Sequence, residues 1–105
     1  MGNDLIIRGT TPTHTFVLPM DVSLCSKLRV IYAQDDKVVI KVENDRFKRD
    51  GKTISCVLTQ EETMALDCKK YCDIQLRVLT HAGEVLAGEI EKEKVGRCLD
   101  DEVMK

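Results

Sequence analysis

Apolar and polar residues alternate along much of this chain with a period of two, the spacing of a strand that buries one face and leaves the other in water. In residues 27–34, Leu28, Val30 and Tyr32 share a face, and after Asp35-Asp36 the same holds for Val38, Ile40 and Val42. Two alternating runs joined by two polar residues predict a β-hairpin. Ile54, Cys56 and Leu58 line up behind the turn signal Asp50-Gly51, and Ile74, Leu76 and Val78 repeat the pattern, with Arg29, Lys41, Gln75 and Arg77 on the other side. Shorter runs at 5–7 and 13–18 predict strands near the N-terminus, and 85–95 predicts the last strand, entered through a turn at Ala82-Gly83. Its second half, Gly88 to Val95, alternates charge and has little to bury, which predicts a sheet edge.

One helix interrupts this pattern. Thr59-Gln60-Glu61-Glu62 spells a capping box, in which the Thr59 hydroxyl accepts from the Glu62 backbone while the Glu62 carboxylate reaches back, so a short helix is expected over 60–66. The resulting expectation is an all-β fold: an immunoglobulin-like antiparallel β-sandwich of seven or eight strands, whose helical crossover passes between the fifth and sixth strands from one sheet to the other. The stretch Arg8-Gly9-Thr10-Thr11-Pro12-Thr13-His14-Thr15-Phe16-Val17-Leu18-Pro19 then reads as an entry strand bracketed by prolines, which cannot donate to a ladder. Thr13 and Thr15 fall on its outer face, and His14 shares the inner face with Phe16 and Leu18.

At 105 residues the chain has room for one domain, 1–105, and its 43% hydrophobic and 32% charged residues match a folded domain rather than a disordered one. With 16 basic against 18 acidic side chains, the net charge of -2 sets up no broad cationic field, so nucleic acid is not the expected partner. The N-terminal apolar run is far shorter than that of a signal peptide and no stretch has the length of a membrane span, so synthesis and folding in the cytoplasm without a membrane are expected. Gly2 raises myristoylation, but Ile6 stands where that motif needs Ser or Thr. Cys25, Cys56, Cys68, Cys72 and Cys98, an odd number without secretory context, predict reduced thiols.

No catalytic constellation emerges. His14 and His81 have no partner at a suggestive spacing, and the threonines of the opening stretch lack the Gly-rich Lys-Ser/Thr run of a phosphate loop. Cys68 and Cys72 form the one metal-like pair, with three residues between the thiols and Cys98 or His81 as further donors; a small cysteine-based metal-binding or redox module is the alternative function. No cofactor or small-molecule substrate is expected, and no metal otherwise. Acid pairs at Asp35-Asp36, Glu61-Glu62 and Asp100-Asp101 sit where acids cap turns, helices and chain ends. No Trp, two Tyr and two Phe leave little for a sugar cleft or a base-stacking platform.

The phrases "IIRGTTPTHTFVLP", "LRVIYAQ", "LTQEET" and "IQLRVL", in that order, resemble a group of small prophage proteins of Gram-positive gut bacteria, similar in pattern to the immunoglobulin-like N-terminal domain of phage baseplate upper proteins. The resemblance runs from about Leu5 to Leu99. It implies a non-enzymatic virion structural part of the tail or baseplate, which acts through protein–protein contacts with other tail or baseplate proteins and as a homo-oligomer. The longer baseplate proteins continue into coiled-coil and receptor-binding segments, which this sequence does not show, so an adaptor or docking module is implied. Open sheet edges are where such a module adds a partner's strand. The expected contact residues are Leu5, Ile7, Thr13 and Thr15 along residues 5–8 and 13–18, with Val39, Val57 and Leu79 as outward apolar positions.

Overall fold

A computed structural model of the chain describes residues 5–100 and 102–105; Gly2 and Asp101, both singled out above, lie outside them. In chain order the strands are β1 (Leu5–Ile7), β2 (Thr13–Val17), β3 (Cys25–Gln34), β4 (Lys37–Glu43), β5 (Lys48–Asp50) and β6 (Thr53–Val57). A short helix, α1 (Gln60–Met64), follows, and then β7 (Cys72–Thr80), β8 (Val85–Ala87) and β9 (Glu91–Gly96). One sheet runs β1-β9-β7-β3-β4, with β8 also paired to β7, and a second sheet of three strands runs β2-β6-β5. Their inner faces meet over Leu28, Val30, Tyr32, Val42, Ile74 and Val78 from the larger sheet and Ile54 and Cys56 from the smaller. Removing such side chains from water contributes about 1.5–3 kcal/mol each, and this is what holds the two layers together.

The expected hairpin forms, and its register has a physical twist. Asp35 and Asp36 both take positive φ, 51° and 64°, as a type I′ turn requires, so Gln34 pairs with Lys37 and Ala33 with Val38. An unbroken ladder would set Tyr32 against Val39 and turn Ile40 and Val42 outward. A β-bulge intervenes instead: the register shifts between Tyr32 and Ala33, Tyr32 pairs with Ile40, and both Ile40 and Val42 are buried. The sequence pattern placed Val38 inside and Val39 outside; the bulge reverses both. Val38 is 57% exposed, and Val39 is half-buried against the core.

The chain ends also depart from expectation. The end of the last strand is covered: β1 lies parallel against Lys94–Gly96 of β9, Ile6 opposite Val95, and both of those side chains are buried. The last strand is broken into β8 and β9 at Gly88, whose backbone N–H donates to the Leu76 carbonyl at 2.9 Å while its own carbonyl accepts from Gln75 Nε2 at 2.9 Å. β5 is three charged, exposed residues with no alternation to betray it. The helix behaves as its spelling predicts: Glu62 N donates to Thr59 Oγ1 at 3.1 Å, Thr59 N donates to Glu62 Oε1 at 2.9 Å, and α1 carries the chain from the smaller sheet to the larger.

Candidate assembly edge

Among the described residues the edge strands are β1 and β4 of the larger sheet, β8, which pairs only with β7 and has just three residues, and β2 and β5 of the smaller. Unpaired edges invite addition of another strand unless they are short, charged or bulged. β1 has three residues. β4 carries Lys37, Lys41 and Glu43 and the bulge, and β5 consists of Lys48, Arg49 and Asp50. β2 differs from all of them: five residues, Thr13-His14-Thr15-Phe16-Val17, without charge, proline or bulge.

The direction in which β2 offers its backbone follows from the bonds at its two ends. Leu58 N donates to the Pro12 carbonyl at 3.0 Å and Leu18 N donates to the Lys52 carbonyl at 2.7 Å. In an antiparallel ladder, hydrogen-bonded pairs alternate with non-bonded ones. Residues 12, 14, 16 and 18 therefore bond to β6, and Thr13, Thr15 and Val17 aim both N–H and C=O away from it, toward the open side. The same three side chains are exposed on the outer face, Val17 at 74%. Across the ladder they stand opposite Val57, Ser55 and Thr53, so next to the edge this face is small and β-branched, with the charged Lys48 and Asp50 only on the far strand, β5.

The edge is open because the chain before it is tied elsewhere. Arg8 Nε and Nη2 donate to the Met64 carbonyl at 3.3 and 2.9 Å, covering the C-terminal end of α1. Gly9 N donates to Thr63 Oγ1 at 3.0 Å, and that hydroxyl donates to the Thr10 carbonyl at 2.8 Å. Gly9 takes φ +79°, a conformation that costs a residue with a side chain, and there the chain turns from the larger sheet toward the smaller. The two stretches expected to form one contact edge thus lie in different sheets. Leu5 and Ile7, 49% and 39% exposed, lie over Gly96, where a Cβ would come within 3.3 Å of Ile7 Cγ1. Thr13 and Thr15 belong to the open edge of the other sheet. Val57 is 52% exposed beside Thr13 but on a central strand, and Leu79 is half-buried opposite Lys27. Val17, the most exposed apolar position of β2, follows from the same alternation that picks out Thr13 and Thr15.

No protein-family model matches this chain, and no curated protein sequence does. Among solved structures, the Ig-like domain of mouse leukocyte-associated immunoglobulin-like receptor 1, crystallised as a strand-swapped dimer, is similar over 90% of this chain and 88% of its own, with a TM-score of 0.55 and 9% sequence identity. The fold is immunoglobulin-like. The V domain of amphioxus IgVJ-C2 aligns over 89% of this chain and 99% of its own at a TM-score of 0.36 and 9% identity.

Antibody domains pin their two sheets with a disulfide and pack a Trp against it. This immunoglobulin-like sandwich has no Trp, and β2 has no Cys. Its two sheets meet instead through His14 and Tyr32: Nδ1 and the phenol oxygen share a hydrogen bond of 2.6 Å, and the rings stack at 26° with centroids 5.6 Å apart. Tyr32 is fully buried, and burial pushes its phenol well above the ordinary value, so the hydroxyl stays protonated. All five cysteines are free thiols. Cys72 lies buried at the start of β7, where burial pushes its thiol up to about 12, and burial raises Cys56 in the same direction. Neutral thiols of this kind are poor nucleophiles and poor metal ligands. Cys68 is half-buried in the loop before β7, and Cys98 is half-buried near Gly9 and Met64. Among the described residues no group of three or more His, Cys, Asp or Glu could hold a metal ion, so Cys68, Cys72 and Cys98 are not gathered into such a group. Among them, too, no helix is long and apolar enough to cross a membrane.

Proposed function

We propose that this chain is a non-enzymatic assembly module of a phage or prophage tail or baseplate, held in place by protein–protein contacts at the open edge of β2. The observation that carries the proposal is that edge: five uncharged residues with Thr13, Thr15 and Val17 turning their backbone groups outward. A sheet edge of this kind binds by adding a strand, with main-chain hydrogen bonds for affinity and alternate side chains for fit. The resemblance of the segments "IIRGTTPTHTFVLP" and "LRVIYAQ" to small prophage proteins supports the virion setting. The mouse receptor domain, crystallised as a strand-swapped dimer, supports contact through strands in a fold of this shape.

Quantitative mass spectrometry of gradient-purified particles from the induced prophage tests this. The protein is expected at a fixed copy number per particle, and Thr15→Pro is expected to abolish its incorporation. Absence from wild-type particles overturns the virion setting, and unchanged incorporation of the variant overturns the edge.

A further inference from the structure

We infer that the occupant of the β2 edge is the β2 edge of a second copy, in an antiparallel pair with its two-fold axis at Thr15. The inference rests on the assembly-edge reading and names its partner. The residues whose backbone groups turn outward are Thr13, Thr15 and Val17, spaced evenly about Thr15. An antiparallel partner related by a two-fold axis at Thr15 sets Thr13 against the partner's Val17, Thr15 against the partner's Thr15, and Val17 against the partner's Thr13. Every outward donor then meets an outward acceptor. Each of the three residues has one N–H and one C=O, so the junction carries about six backbone hydrogen bonds.

Side-chain chemistry agrees with the register. β2 has no charged residue, so self-pairing brings no like charges together, whereas β4 would meet a copy of itself with Lys37, Lys41, Glu43 and a bulge in the seam. On the outer face Thr15 meets Thr15 and each Val17 meets a Thr13, β-branched pairs that pack well on a pleated surface. On the inner face His14 meets Phe16; both are only half-buried in the single chain because the core is open along this edge, and both are covered in the pair. Pro19, the next outward-turned position after Val17, bounds the seam, since it has no N–H to extend it. The contact is isologous and uses up both β2 edges, so it closes at two copies instead of growing into a filament.

Light scattering coupled to size exclusion, over a series of protein concentrations, is expected to show a mass near twice the 11.9 kDa of one chain. Thr15→Pro removes one outward N–H per copy and leaves the bonds from residues 14 and 16 to β6 in place. Its circular dichroism spectrum is expected to stay that of the parent, and its dimer dissociation constant to rise about thirtyfold, the effect of two lost hydrogen bonds. Thr15→Cys is expected to form a homodimeric disulfide under mild oxidation, above the background of the parent's own thiols, because paired residues in such a register have Cα atoms about 5.5 Å apart. Thr53→Cys, on the same face but one strand away from the axis, is expected not to. A strictly monomeric parent, a dimer indifferent to Thr15→Pro, or a Thr15→Cys variant that crosslinks no better than Thr53→Cys each overturns self-pairing. A monomeric parent that still needs Thr15 for incorporation into particles leaves the assembly edge standing with a different protein on it.

Discussion

Thr63→Val tests the tie that holds the N-terminal segment to α1. Thr63 is fully buried, and its hydroxyl accepts from Gly9 N at 3.0 Å and donates to the Thr10 carbonyl at 2.8 Å. Valine has nearly the shape and the helix propensity of threonine, so the change is confined to the hydroxyl. Its removal deletes two hydrogen bonds worth about 1 kcal/mol each, net of water, and leaves a backbone N–H and C=O in partly buried surroundings, a further cost of about 1 kcal/mol or more. The expected loss is about 3 kcal/mol, a large share of the roughly 5–15 kcal/mol that a domain of this size has. Thr63→Ser keeps the hydroxyl and removes one buried methyl, for about 1 kcal/mol. Urea unfolding followed by circular dichroism measures both; the valine variant should lose about 2 kcal/mol more than the serine variant at unchanged m-value. In a thermal scan the valine variant should unfold about 12 °C or more below the parent. Two variants within about 0.5 kcal/mol of each other would refute the role given to the hydroxyl, since helix propensity differs little between them and the methyl that serine lacks is already counted against the serine variant.

Three further outcomes follow from the geometry. Tyr32→Phe keeps the ring stacked on His14 but removes the hydroxyl bonded to Nδ1 at 2.6 Å, with an expected loss of about 2 kcal/mol by urea unfolding; a change below about 0.5 kcal/mol would remove the pair from the forces joining the sheets. Glu62 is held below its ordinary value of 4.5 chiefly by Arg46, which donates from Nη1 and Nη2 to its two carboxylate oxygens at 2.9 and 2.8 Å. A depressed carboxylate contributes stability above its unfolded-state value and loses it as pH falls through the folded one, so stability should decline below about pH 4.5. Glu62→Gln should be less stable than the parent at neutral pH and converge on it in acid; parallel pH profiles would count against the pair. In the native protein an aromatic disulfide reagent should modify Cys68 and Cys98 well before Cys72, whose buried thiol is pushed up to about 12, and fast labelling of Cys72 would contradict its burial.

What the sequence makes legible is what depends on neighbours along the chain. Alternation places Leu28, Val30 and Tyr32 on one face, and the capping box at Thr59 and Glu62 starts a helix where it is spelled. What it hides depends on partners far away. Val39 looks outward until the two-residue turn at Asp35-Asp36 is combined with the demand that Ile40 and Val42 be buried, which together force the bulge. Lys94, at the end of the charged run, looks like part of an edge until Ile6 needs a place to bury, which β1 finds by lying parallel to Lys94–Gly96. The opening "RGTT" carries no local sign of its role, because its partners, Thr63 and Met64, are more than fifty residues on.

That distant tie also decides which edge stays open. Had the first strand stayed beside β2, the edge of the smaller sheet would be covered by the chain itself. Arg8 and Gly9 instead commit it to α1 and the larger sheet, and Gly9 at φ +79° is the point of divergence. Stability of the tie and availability of the edge are therefore coupled, because a loosened β1 is the strand nearest in sequence to β2. Thr63→Val should accordingly weaken self-association although it lies outside the seam, and Thr63→Ser should do so much less. If the valine variant lost stability while its dimer affinity stayed that of the parent, the tie would be a matter of folding alone and the openness of β2 would need another cause.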